Sequence, residues 1–128
     1  MKAQIYYFTK VAFQKEPERF FTDAEETVKM LNETGLKNFV QVDTFIPAFD
    51  STKEELAERL FAIYNDGTEE GNPLGTKAGQ QKLVSLGAGH TSMSVNDFVV
   101  IDGEVLIVDS LGFKNIGQHD AVKEVVLT

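Results

Sequence analysis

The sequence contains no cysteine, so the chain can form neither a disulfide framework nor a thiolate metal site. It also lacks any apolar run of about 18 residues, the length that a membrane-spanning helix needs. Its N-terminus, MKAQIYYFTK, has no sustained apolar stretch of the kind found in signal peptides. These absences predict a protein of the cytoplasm that has no membrane segment.

What is present is an ordinary globular composition. Hydrophobic residues make up 42% of the 128 residues and charged residues 25%, which is typical of folded domains and unlike disordered chains. This length is close to the commonest domain size and sufficient to bury a core. We therefore expect one domain that spans residues 1–128.

Two capping boxes mark the starts of two predicted helices. Thr22 with Glu25 predicts a helix that ends at Gly35, and residues 51–54 (STKE) predict a second helix that ends near Asn65. Apolar residues follow each box at spacings of three and four. Both helices are therefore expected to pack one face against a sheet.

Aromatic and β-branched residues predict two strands in the first half of the chain, at residues 3–13 and 38–46. Residues 68–90 are polar and rich in glycine, which is typical of a long functional or mobile loop. Within it, residues 82–86 are compatible with a short helical turn or a strand.

A β-hairpin is predicted around Asp102-Gly103, a dipeptide typical of the two-residue type I′ turn. The turn places Ile101 opposite Glu104 and Phe98 opposite Ile107. Both faces of the hairpin are apolar, so it is either covered on both sides or closed into a small barrel. The last residues, EVVLT, are a candidate for a further strand.

The predicted fold class is accordingly α+β, a single domain with a mixed or antiparallel sheet. Two helices pack on this sheet, and the apolar C-terminal hairpin belongs to it.

The register of the hairpin gathers polar residues at its open end, and these are Ser92, Ser94, Asn96, Asp97, Asp109 and Ser110, with His90 arriving from the loop. One interpretation is chemical: His90, Asp97 and Asp109 would surround a metal or a small substrate, with a carboxylate orienting the imidazole as a base. The simpler interpretation is structural, with these side chains satisfying backbone groups where strands begin and end. The preceding glycine-rich residues lack the lysine of a P-loop, so no nucleotide or other cofactor is predicted.

The run HTSMSVNDFVV (residues 90–100), followed by VDSLGF (108–113), resembles the YodL-like family. Ser92, Ser94, Asp97 and the residues DS-GF at 109–113 match the pattern of that family, whereas Thr91 replaces its usual arginine. The resemblance covers roughly residues 90–113 and implies a context: such domains occur in phages, plasmids and conjugative elements. It implies no reaction and no catalytic residues.

Negative charge is concentrated in the middle of the chain. Residues 16–70 hold fourteen acidic and five basic residues, whereas the rest of the chain is close to neutral. The expected contact surface consists of helix carboxylates, namely Glu25, Glu26, Glu33, Glu54, Glu55 and Glu58. Such a field repels nucleic acid and favours a basic protein partner.

The leading functional hypothesis is a non-enzymatic accessory protein of a phage or mobile element that acts by protein–protein binding. A more specific version is a DNA mimic that occupies the basic groove of a host nucleic-acid-binding protein. The alternative is a small enzyme, or a metal- or small-ligand-binding protein, that uses the polar end of the hairpin.

Overall fold

A computed structural model of the chain describes residues 1–68 and 71–123. The strands and helices, in chain order, are β1 (Ala3–Phe8), α1 (Lys10–Lys15), α2 (Ala24–Thr34), β2 (Phe39–Phe45), α3 (Lys53–Ile63), α4 (Lys77–Leu86), β3 (Phe98–Ile101), β4 (Glu104–Val108) and β5 (Phe113–Gly117). Short 3₁₀ turns follow α1 and β5. The α+β fold class predicted from the sequence is confirmed.

The five strands form one antiparallel sheet in the order β2-β1-β3-β4-β5. The hairpin register is the predicted one, since Ile101 pairs with Glu104 and Phe98 with Ile107. Asp102 and Gly103 both have positive φ, at 49° and 84°, as a type I′ turn requires.

Helices cover both faces of this sheet. On one face, here called the α2 face, side chains of α1 and α2 such as Met30 pack with Phe98 of β3. On the other face, the α3 face, side chains of α3 and α4 such as Leu60 pack with Val99 of β3. The hairpin is apolar on both sides because each side lies under helices, and the sheet is open. The prediction of a small barrel was wrong.

Both predicted helices exist, but each begins one residue later than its predicted capping box. The side chain of Asp23 caps α2 by accepting from the amide of Glu26, and Thr22 lies outside the cap. The box of α3 is formed by Thr52 and Glu55. Because neighbouring polar residues in each segment can all cap, the sequence pattern specified the helix but left the cap ambiguous by one residue.

The first predicted strand was too long. β1 ends at Phe8, and Thr9 caps the short helix α1 by accepting from the amide of Ala12. The prediction failed because Val11 and Phe13 are favourable in strands as well as in a short, half-buried helix. The final EVVLT, a candidate strand, lies outside the described residues.

The predicted loop at residues 68–90 contains the helix α4, which begins after the cap residue Thr76. The turn before it is fixed by the buried Asn72, which donates to the carbonyl of Tyr64 and accepts from the amide of Leu74. Gly79, which helped to make the segment read as a loop, allows close packing: an added Cβ would lie 2.5 Å from the carbonyl oxygen of Pro73.

Gly79→Ala is expected to destabilise the protein, although alanine in a helix interior normally gains about 1 kcal/mol over glycine. The reason is that the added methyl group would meet backbone atoms of Pro73 and Leu74, which cannot rotate away. Urea denaturation measures the change, and Gln81→Ala on the exposed side of the same helix is the matched control. Stabilisation by Gly79→Ala would show that α4 can shift freely.

Candidate functional site

Asp97 is fully buried where β3 begins, and both of its carboxylate oxygens are hydrogen-bonded. The amide of Phe8 donates to Oδ1 at 3.0 Å, and the amide of Ser94 donates to Oδ2 at 2.8 Å. Burial raises the pKa of this carboxyl, whereas its hydrogen-bond donors, His90 first among them, act in the opposite direction. Asp97 therefore joins the end of β1, the turn at Ser94 and the start of β3.

His90 is held against this carboxylate. Its Nε2 lies 2.7 Å from Oδ2 of Asp97. The imidazole stacks on Tyr7 with ring centroids 4.6 Å apart and packs against Phe8 at 4.2 Å. The structure thus brings together two of the three residues proposed for the chemical interpretation, in a pair whose ring orientation is fixed.

Asn96 performs the corresponding role on the α2 face. It is fully buried with a φ of 82°, in the left-handed region that asparagine tolerates better than most residues. Its Oδ1 accepts from the amide of Thr22, and its Nδ2 donates to the carbonyl of Asp23. Thr27 of α2, also buried, donates to the carbonyl of Asn96. Asn96 thereby attaches the start of α2 to the start of β3.

Asp109 does not join His90 and Asp97. Its Oδ1 accepts from the amides of Ala24 and Ser110, so the carboxylate supports the start of α2 on the opposite face of the sheet. Within residues 1–68 and 71–123, no three His, Asp or Glu side chains come together as a metal site. The convergence that the three-residue catalytic alternative requires is therefore missing, because neighbouring residues of paired strands point to opposite faces.

The serines of the motif serve the local backbone or solvent. Ser94 donates its hydroxyl to the carbonyl of Ser92, and Ser110 donates its amide to Asp109. Ser92 and Ser110 are exposed. In this respect the polar run supports the local backbone at the entrance to the hairpin.

A groove of about 310 Å³ lies beside the same motif, between α3 and the turn that joins β4 to β5. Leu111, at the tip of this turn, is 92% exposed. Phe61 of α3 is 39% exposed and packs edge-on against Phe113, with ring centroids 6.2 Å apart. Val95 and Glu58 also line the groove. We call this surface the Leu111 groove.

The sequence reasoning missed the Leu111 groove. Its one local signal is an apolar residue, Leu111, placed inside the turn sequence Asp109–Gly112 where polar residues are usual. The contribution of α3 comes from a segment some fifty residues earlier in the chain, and no local pattern could pair the two.

The six carboxylates expected to form one contact surface lie on two faces. Those on α2 are partly engaged, since Arg19 pairs with both Glu26 and Glu33, whereas Glu25 is exposed and 4.0 Å from Lys114. On α3, Glu55 belongs to the capping box. The remaining pair, Glu54 and Glu58, is exposed on the side of α3 that borders β5, and Glu58 lines the Leu111 groove.

Fold and site together define a small α+β domain whose antiparallel sheet is covered by helices on both faces and whose C-terminal turns carry an apolar groove. Over 120 residues the chain is 32% identical to the uncharacterised protein R785 of Acanthamoeba polyphaga mimivirus, across 94% of this chain and 96% of that protein. The chain belongs to the same family as this viral protein. No protein-family model matches the chain, and no solved structure matches it, so the resemblance to the YodL-like family stays a prediction.

None of the helices in the described ranges combines the length and the apolar character needed to cross a membrane.

Asp97→Asn is expected to lower the free energy of unfolding by about 3 kcal/mol, because the new amide group would face the amide of Ser94, donor against donor. Asp109→Asn is the matched control. Asp109 uses a single oxygen for both backbone bonds, which an asparagine oxygen can retain, and the loss there should stay below about 1 kcal/mol. Equal losses in urea denaturation would contradict this assignment.

The contribution of Asp109 to stability should depend on pH. The amides of Ala24 and Ser110 hold the pKa of its carboxyl below the usual value. Its stabilising effect is therefore present above the unfolded-state pKa of about 4 and is lost as the pH falls through the lower folded-state pKa. The difference in unfolding free energy between wild type and Asp109→Asn should shrink between pH 6 and acid conditions. A difference that does not change with pH would refute it.

Proposed function

We propose that this chain is a non-enzymatic accessory protein of a phage, a mobile element or a related virus, and that it acts by binding another protein. The observation that carries the proposal is the Leu111 groove. A leucine that is 92% exposed lies there beside two partly exposed phenylalanines, and adjoining apolar side chains in a groove form the kind of surface that a protein partner contacts. The relative is a viral protein, and the proposal therefore includes a virus beside the phages and mobile elements that the YodL-like resemblance implies.

The partner that fits the groove is an extended segment with one apolar side chain flanked by lysine or arginine. Two acidic residues, Glu58 and Asp109, line the groove, and no basic residue of the described ranges does. The Asp109 carboxylate is bonded to the amides of Ala24 and Ser110, so Glu58 supplies the free negative charge. Glu54 extends the negative edge one helical turn along α3, and the whole chain carries a net charge of -8. An apolar anchor would fill the groove, and the flanking cations would meet its rim.

This proposal narrows the acidic contact surface to the side of α3 that borders β5. A DNA mimic needs carboxylates over one continuous face. The six glutamates are divided between two faces of the sheet, which favours binding of a partner's apolar side chain in the groove over DNA mimicry. A location in the cytoplasm of the host cell remains part of the proposal, and the absence of cysteine is compatible with it.

Selection from a display library of random twelve-residue peptides tests the groove with a defined probe. Peptides retained by the immobilised protein should share an apolar residue flanked by lysine or arginine. Binding of one synthetic consensus peptide, followed by fluorescence anisotropy, should weaken at least about tenfold in Leu111→Glu and several-fold in 0.5 M salt. Glu58→Gln should weaken it by about threefold.

Val84→Glu is the matched control, because Val84 is also a strongly exposed apolar residue, at 79%, on a different helix. It should leave peptide binding unchanged, and both variants should unfold at the wild-type temperature. Equal binding by Leu111→Glu and wild type, or consensus peptides without an apolar anchor, would refute the proposal.

A further inference from the structure

A second cavity, of about 350 Å³, lies beside His90 and has a different character. Its hydrogen-bonding lining residues are Lys10 from α1, Gln80 from α4, and His90 and Thr91 from the loop after α4. None of the described residues that line it is acidic. In a chain with a net charge of -8, a concave surface that offers a cation and no carboxylate is unusual.

His90 lines this cavity with its ring held in a fixed orientation. Its Nε2 is occupied by the buried Asp97, and its ring is held by stacking on Tyr7 and packing on Phe8. Nδ1 is therefore the nitrogen left to a ligand. An Nδ1–H at this position can donate to a ligand oxygen while Nε2 stays bonded to Asp97.

Thr91 adds a second oriented donor. Gln80 donates from Nε2 to the Thr91 hydroxyl oxygen at 2.8 Å, and the same nitrogen also donates to the carbonyl of Leu74. The Thr91 oxygen thus already accepts a hydrogen bond, and its own hydroxyl hydrogen remains to donate.

Lys10 supplies the cation. Among the described residues, no carboxylate lies within ion-pair distance of its ammonium group, whereas Lys82 of α4 pairs with Asp43. Gly89 lets Lys10 lie close to the loop, since an added Cβ would be 3.0 Å from Cβ of Lys10. Lys10 therefore lines the cavity from α1, and Gln80 lines it from α4.

We propose that this cavity binds a small oxyanion, a phosphate or carboxylate group of a small molecule, through His90 Nδ1, the Lys10 ammonium and the Thr91 hydroxyl. Three donors from two separate segments, α1 and the loop after α4, suit the several oxygens of one oxyanion. Charge-assisted bonds of this kind are the strong ones. The site is independent of the Leu111 groove and needs no peptide partner.

NMR of the histidine side chains tests the site with inorganic phosphate, titrated at constant ionic strength near pH 6.5. The ring signals of His90 should move and saturate at millimolar phosphate. His119 is an internal control, because it lies away from the cavity with its Nε2 2.8 Å from Asn32 Oδ1, and its signals should not follow the same curve. A parallel titration with acetate separates the two ligand classes: a response to phosphate alone narrows the site to phosphate, and a response to both supports a general oxyanion site.

Lys10→Gln should weaken phosphate binding by about tenfold, and Thr91→Val should weaken it by a smaller factor. Lys82→Gln removes a lysine that does not line the cavity and should leave the affinity unchanged. Signals of His90 and His119 that move together, or equal affinities for Lys10→Gln and Lys82→Gln, would overturn the proposal. The thermal unfolding temperature of each variant verifies that folding is intact.

Discussion

The buried carboxylate of Asp97 is the constraint on which the rest of the structure depends. An ionised or even a neutral carboxyl group without partners inside a protein costs several kcal/mol, so its surroundings must supply donors. They come from Phe8 at the end of β1, from the turn at Ser94 and from His90. Satisfying this one side chain fixes where β1 stops, how the loop after α4 returns to the sheet, and where β3 begins.

Asn96, one residue earlier, imposes the same kind of requirement on the other face. Its side chain and backbone bind the start of α2 through Thr22, Asp23 and Thr27. Asp109, directly after β4, accepts a further bond from the amide of Ala24. The two polar residues therefore attach structure on both faces of the sheet from a single point. This explains why the polar run forms a recognisable motif: its members are occupied by the fold, and the surfaces left for binding lie next to them.

The features that the sequence predicted well are those governed by local chemistry. Asp102-Gly103 determined the hairpin register because a type I′ turn leaves no choice of pairing, and capping residues with apolar periodicity revealed α2 and α3. The first half of α4 was missed, and residues 82–86 were left open between helix and strand. The reason is that Gly79, a helix-weakening residue in isolation, allows close contact with the preceding turn at Pro73 and Leu74. The Leu111 groove and the His90 cavity both combine side chains from segments far apart in sequence, so no spacing rule could reveal them.

Both candidate binding surfaces lie at the open end of the hairpin and share one support. Val95 lines the groove, and the amide of its neighbour Ser94 donates to the Asp97 carboxylate. His90, which lines the cavity, is hydrogen-bonded to the same carboxylate. A substitution of Asp97 would therefore disturb both surfaces and also lower stability. A loss of binding in such a variant would not show which surface is responsible. Exposed residues that contribute little to the core, such as Leu111 and Lys10, separate binding from folding. Because the buried polar residues support the fold and the exposed residues make the contacts, substitutions of the exposed residues can test binding without unfolding the domain.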